Sequence, residues 1–300
     1  MSGRLKFLVV APPLLLAASA LAATPSPIRP NVIYGTDNRL DLYEVQDARL
    51  LELAASTAME IETRFLTPNG AYVDVQAKTY GDDYNLCKDE RFYDQPDPGM
   101  CTAFVVGEDL LLTAGHCIVT QHDCDESSFV FGYGVTSPGN YPVSIPTADV
   151  YRCASIVKRK LENNGPDYAL LRTDRKMNRK PLELERNSKL KPGDPVGVIG
   201  HPSGLPTKVT FGGIVRSTAF EYPAPVGYFR TNLDTYGGNS GSPVFNANTG
   251  LVEGILVRGE VDWKTIGTEP TACRVSKVCA ADACRGEDVT KIAEIAPLIP

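Results

Sequence analysis

The chain has 300 residues, 43% of them hydrophobic, and carries a net charge of −6 with a pI of about 5.2. This acidic balance argues against a nucleic-acid partner, which needs a basic face, and leaves protein partners open. Once an N-terminal leader is set aside, about 275 residues remain, large for one compact core and suited to two packed units sharing a cleft.

In chain order, Arg4 and Lys6 precede an apolar run from Phe7 to Leu21, broken only by Pro12 and Pro13, and Ala20-Leu21-Ala22 offers a small-x-small cleavage site. Residues 1–22 therefore read as a secretory signal peptide, because about 15 apolar residues fall short of the roughly 20 that span a bilayer. The expected mature protein is secreted, extracellular or periplasmic, with no membrane contact after signal removal. Residues 23–31, with Pro25, Pro27 and Pro30, read as a short propeptide, which leaves 32–300 as the functional domain.

Asp47 to Glu60, rich in Ala, Leu and Glu, predicts a helix. Short β-rich runs follow at Ala103–Val106, Asp109–Thr113, Phe129–Phe131, Ala169–Arg172, Pro195–Ile199, Lys208–Val215, Ser242–Phe245 and Leu251–Val257. Gly, Pro, Asn and Asp clusters separate them. Many short strands of this kind indicate sandwiches or barrels. A charged, proline-containing stretch from Met177 to Pro192 suits the crossing between two units. Glu287 to Ala296, with Ile292 and Ile295 and a stop at Pro297, predicts a second helix. There is no internal repeat or low-complexity tract.

Three strings carry chemistry: Thr113-Ala114-Gly115-His116-Cys117, Asp167-Tyr168-Ala169-Leu170-Leu171 and Gly237-Gly238-Asn239-Ser240-Gly241-Ser242-Pro243. A serine hydroxyl attacks near neutral pH only if an imidazole takes its proton and a carboxylate holds that imidazole in the right tautomer. His116, Asp167 and Ser240 supply base, orienter and nucleophile. The glycines leave room for a turn that aims backbone N–H groups, those of Gly238 and Ser240, at a developing oxyanion. Of the three histidines, His116, His122 and His201, none follows Ser240, which excludes the order Ser, acid, His.

All eight cysteines lie beyond the leader, and an even number in an exported chain implies disulfides. A zinc reading of His116, Cys117, His122 and Cys124 is weaker, because H-C-x4-H-x-C matches no common zinc module. No metal or other cofactor is expected. His122 reads as a solvated loop residue and His201 as a turn residue.

The strings T-A-G-H-C and G-N-S-G-S-P resemble the chymotrypsin-like (trypsin-like) serine endopeptidases, and the asparagine before Ser240 is similar to their bacterial glutamyl endopeptidase branch. Further likeness lies in residues 198–206 and 32–39. The resemblance implies an all-β fold of two antiparallel six-stranded β-barrels, about 70–180 and 190–285, with the active site in the cleft between them and a C-terminal helix. It implies a secreted monomer that hydrolyses protein or peptide substrates through an acyl-enzyme; an inactive protease-like binding protein or a secreted esterase are the alternatives. It also pairs Cys101 with Cys117, a loop that stabilises by roughly 3 kcal/mol on the chain-entropy model. Cys87, Cys124, Cys153, Cys273, Cys279 and Cys284 stay unassigned.

By the same resemblance Asp234 falls at the floor of the substrate pocket, where it would attract Lys or Arg, and Thr235 at a pocket threonine of the glutamyl enzymes. Leu256 stands where those enzymes keep a histidine, with Arg258 and Gly259 near the rim. Arg258 would either neutralise Asp234 or hold an acidic substrate residue. Alternatively Asp234 points away and bonds backbone. Asn239 cannot form the ion pair by which trypsin-like zymogens activate, whereas Val32 matches the mature N-terminal valine of the glutamyl enzymes, implying cleavage after Asn31.

Overall fold

A computed structural model describes residues 33–218 and 227–300. The expected signal peptide, the propeptide and Val32 lie outside the described residues. Among the described residues no helix is long and apolar enough to cross a membrane.

Six antiparallel strands close the first barrel: β1 (Thr57–Glu62), β2 (Cys101–Val105), β3 (Leu110–Thr113), β4 (Ser127–Phe131), β5 (Val150–Leu161) and β6 (Asp167–Thr173). The second is built from β7 (Pro195–Gly200), β8 (Lys208–Ser217), β9 (Tyr228–Thr231), β10 (Pro243–Asn246), β11 (Val252–Arg258) and β12 (Glu287–Lys291). Its order is β7-β10-β11-β12-β9-β8, closed by pairing of β7 with β8, and Arg39–Asp41 adds to the free edge of β8.

Strand alternation explains how the two barrels both fill and join. On β2, β3 and β6 the odd-numbered Ala103, Val105, Leu111, Ala169 and Leu171 fill the first barrel. Their neighbours Phe104, Leu112 and Leu170 point the other way, into a cluster shared with Ile199, Phe245 and Ile255 of the second barrel. Val198, Val244 and Leu256 fill that barrel's own interior. With side chains alternating across each strand and both faces buried at their centres, these strands are apolar over Ala103–Val105, Leu110–Leu112 and Ala169–Leu171, which is why the sequence shows them as short continuous runs.

Two helical expectations are corrected. Only Ala48–Ala54 is helical, and residues from Thr57 form β1, buried from Thr57 to Ile61 and paired with both β2 and β4. Ala, Met and Glu favour helix only weakly, and pairing on two sides overrides them. Glu287–Lys291 is likewise a strand, held between β9 and β11, followed by 3-10 turns at Ile292–Glu294 and Ala296–Leu298 in place of a C-terminal α-helix. The Ile292/Ile295 spacing belongs to those turns, in which residues i and i+3 eclipse.

All eight cysteines are bridged: Cys87–Cys273, Cys101–Cys117, Cys124–Cys153 and Cys279–Cys284. The first staples the long loop between β1 and β2 to the second barrel. In the same region Lys208 is fully buried, its ammonium donating to Asp41 Oδ1 (2.6 Å), Gln95 Oε1 (2.7 Å) and Pro206 O (2.9 Å). Beside it the buried Arg39 guanidinium pairs with Asp37 at 2.8 Å and lies over the rings of Tyr236 and Phe92. These contacts lock residues 37–41 between the barrels.

Candidate active site in the cleft between the barrels

His116 follows β3 in a tight turn, Asp167 opens β6, and Ser240 sits in the turn that leads into β10. The first two come from one barrel and the third from the other, so packing of the barrels assembles the group. His116 Nδ1 is 2.8 Å from Asp167 Oδ2, and His116 Nε2 is 2.8 Å from Ser240 Oγ. The His116 backbone N–H donates to Asp167 Oδ1 at 3.1 Å, so each carboxylate oxygen has its own donor. Asp167 is 1% exposed. Its main chain is tied to β12, since the Asp167 N–H donates to Thr290 Oγ1 (3.0 Å) and that hydroxyl donates to Asp167 O (3.1 Å).

The serine turn is clamped by Thr102 on β2. The Thr102 N–H donates to Ser240 O at 2.8 Å, and its hydroxyl donates to Gly238 O at 3.0 Å while accepting the His201 N–H at 3.0 Å. Positive φ falls at Gly238 (+87°) and Gly241 (+90°), not at Gly237. At Gly241 a Cβ would stand 2.0 Å from Thr102 O, so close approach as well as conformation demands glycine there. Among the described residues neither Gly238 N–H nor Ser240 N–H donates to any group. These are the donors an oxyanion needs.

His201 lies in the turn that precedes the 3-10 segment Pro202–Gly204 and is buried: its Nδ1 faces Leu205 O at 2.9 Å, and burial pulls the imidazole down to about 3. His122 is exposed as expected but stands in a short helix, Gln121–Glu126, rather than a loop, 3.7 Å from Glu126 one turn on. Cys117 and Cys124 have their sulfurs in disulfides, so the zinc reading loses its thiolates.

The expected pocket residues have committed partners. Asp234 Oδ1 accepts the Tyr34 N–H (2.6 Å) and Oδ2 the Asn38 N–H (2.9 Å), and burial nevertheless raises its carboxyl to about 6. The Thr235 hydroxyl donates to Glu287 Oε2 at 2.8 Å. Leu256 is in the second-barrel core, and Gly259 is buried. Arg258 is 8% exposed, within 3.4 Å of Asp288 and 3.8 Å of Asp167, and so lies inside the fold rather than at a rim. Asn239 is buried, its amide oxygen accepting the Ser242 hydroxyl at 3.3 Å.

Glu287, Asp288 and Thr290 escaped sequence reasoning. Glu287 is fully buried beside Thr235, and burial holds its carboxyl well above the usual range. All three lie in the segment read as a helix, and with the wrong period their facing partners were not visible.

Over 166 residues the chain is 28% identical to a glutamyl endopeptidase of Bacillus licheniformis, covering 50% of this chain and 46% of that one. It thus spans about half the length of that relative. Among solved structures, the protein Rv3671c of M. tuberculosis in an inactive form aligns at 15% identity and a TM-score of 0.45, over 89% of this chain and 94% of that one. Deg5 aligns at 16% identity and a TM-score of 0.46, over 86% and 94%. Residues 101–255, which include His116, Asp167 and Ser240, match the trypsin-like peptidase domain, and the chain belongs to that family.

Proposed function

We propose that the protein is a secreted serine endopeptidase that cleaves peptide bonds through an acyl-enzyme. The observation that carries this reading is the unbroken chain from Asp167 Oδ2 through His116 to Ser240 Oγ, with both contacts at 2.8 Å. Ser240 attacks the carbonyl, His116 takes its proton and later delivers it to the leaving amine, and Asp167 fixes the tautomer and stabilises the imidazolium. The undonated N–H groups of Gly238 and Ser240 receive the oxyanion. No cofactor enters these steps, and a monomer suffices because one chain supplies every group. Export is supported by the leader and by four disulfides, which persist in oxidising compartments.

The test is labelling of the mature secreted protein by a fluorophosphonate probe, expected for the wild type and absent in Ser240→Ala. An unlabelled wild type would mean an inactive scaffold. Labelled protein that cleaves esters but no peptide would favour an esterase.

Primary specificity, on this reading, does not come from Asp234, whose two oxygens already hold the 34–38 segment. Asp234→Ala is expected to leave the cleavage profile on a peptide mixture unchanged while lowering thermal stability. A lost preference for Lys or Arg would restore Asp234 to the pocket floor. A mature N-terminus at Val32 is expected from the resemblance of residues 32–39 to the glutamyl enzymes. N-terminal sequencing of the same preparation checks it.

A further inference from the structure

We propose that Arg258 is a positioning residue for Asp167, holding its carboxylate in place from across the barrel interface. The inference rests on the triad reading above. Arg258 ends β11, and besides the His116 ring its guanidinium is the one Lys or Arg group within 4 Å of the Asp167 carboxylate among the described residues, at 3.8 Å from Oδ2. Its Nη2 donates to Gly165 O (2.8 Å) and Nη1 to Glu162 O (3.3 Å), carbonyls two and five residues before Asp167. One side chain therefore grips both the carboxylate and the hairpin that delivers it.

Arg258 is not committed to one acid. Its nearest acid is Asp288, 1% exposed, with Nε–Oδ2 at 3.4 Å, but Asp288 also pairs with Arg230 at 2.9 Å and with Arg285. Asp288 is thus shared among several guanidinium groups and does not serve Arg258 alone. Asp167 in turn has only the two N–H donors of His116 within hydrogen-bond reach of its carboxylate among the described residues. A buried carboxylate with no compensating cation tends to take up a proton. Other charges nearby are engaged elsewhere. Arg159 donates to Gly115 O at 2.6 Å, and Lys160 pairs with Glu162 at 3.2 Å and reaches Glu294 at 4.0 Å.

The sign follows from this arrangement. Removing the Arg258 charge favours protonation of both Asp167 and His116, which moves the acid limb of the kcat–pH profile to higher pH. Asp288→Asn takes away a competing negative charge and moves the limb the opposite way. Arg258→Gln should lower kcat roughly 10- to 10²-fold, as displaced reacting groups do, with KM little changed. Arg258→Lys, which keeps the charge, should recover part of kcat and return the limb toward the wild-type position.

The experiment is the kcat and KM of these three variants on one peptide substrate from pH 5 to 9, together with the pH titration of the His116 ring by NMR. Opposite displacements in Arg258→Gln and Asp288→Asn support the proposal. If Arg258→Gln is not recovered folded, the downward displacement in Asp288→Asn decides alone. An unmoved limb in both variants, or a raised KM for acidic substrates with kcat intact, overturns it, the latter making Arg258 a substrate ligand. An unlabelled wild type defeats the triad reading instead, and the NMR titration still reports whether Arg258 acts on the pair.

Discussion

Asp167→Asn is expected to lower kcat by about 10⁴-fold while leaving the protein folded. The size follows from how its two oxygens are used. Oδ1 accepts the His116 backbone N–H at 3.1 Å and Oδ2 accepts Nδ1–H at 2.8 Å, so a carboxylate satisfies two donors at once. An amide has one oxygen. If that oxygen keeps the backbone bond, the NH2 group faces Nδ1 and forces the proton onto Nε2. The ring then presents a donor to Ser240 Oγ and cannot take its proton. The fold survives because the main chain of Asp167 remains tied to Thr290. Steady-state kinetics on a peptide substrate, with circular dichroism to verify folding, check the result, and a fall of less than about tenfold would remove Asp167 from its role as orienter.

Lys208→Met is expected to cost about 3–5 kcal/mol of folding stability, the range for breaking one side of a buried ion pair. At neutral pH the side chain is an ammonium, because burial draws it down only to about 8. Its three acceptors lie on three different segments: Asp41 on the edge strand added to β8, Gln95 in the long first-barrel loop and Pro206 in the loop before β8. Methionine fills a similar volume but leaves the buried Asp41 carboxylate without its ammonium partner, with the Gln95 amide donor at 2.8 Å still in place. Urea denaturation should show a lowered midpoint at an unchanged slope. Adding Asp41→Leu should recover part of the loss, since replacing a whole buried pair with apolar groups is often close to neutral. A single variant as stable as the wild type would show that burying the ammonium costs as much as its three bonds return.

The candidate site was more legible in the sequence than the fold around it. His116, Asp167 and Ser240 stand out because catalysis by serine requires those three residue types together, and their flanks are written locally. Gly115 allows the chain to pass close to Lys160 O, and Gly238 and Gly241 take the left-handed turns on either side of Ser240. The strands of the barrel interface were legible for a similar reason, both faces being apolar. By contrast, β1 and β12 contain residues that favour helix or give no period, and only pairing to two neighbours each makes them strands.

What the sequence determined by itself was the all-β class and the residue types and chain order of the proposed reacting groups. Those are properties of short segments, set by side-chain alternation, turn residues and the chemistry of the nucleophile. The tertiary structure alone decided where charges far apart in the chain would meet. Asp234 bonds a segment 200 positions away at Tyr34, and Arg258 of one barrel faces Asp167 of the other. The Cys87–Cys273 disulfide, between residues 186 positions apart, belongs to the same class. The desolvated partner of a buried charge is selected by barrel closure and packing, and no local spacing encodes it.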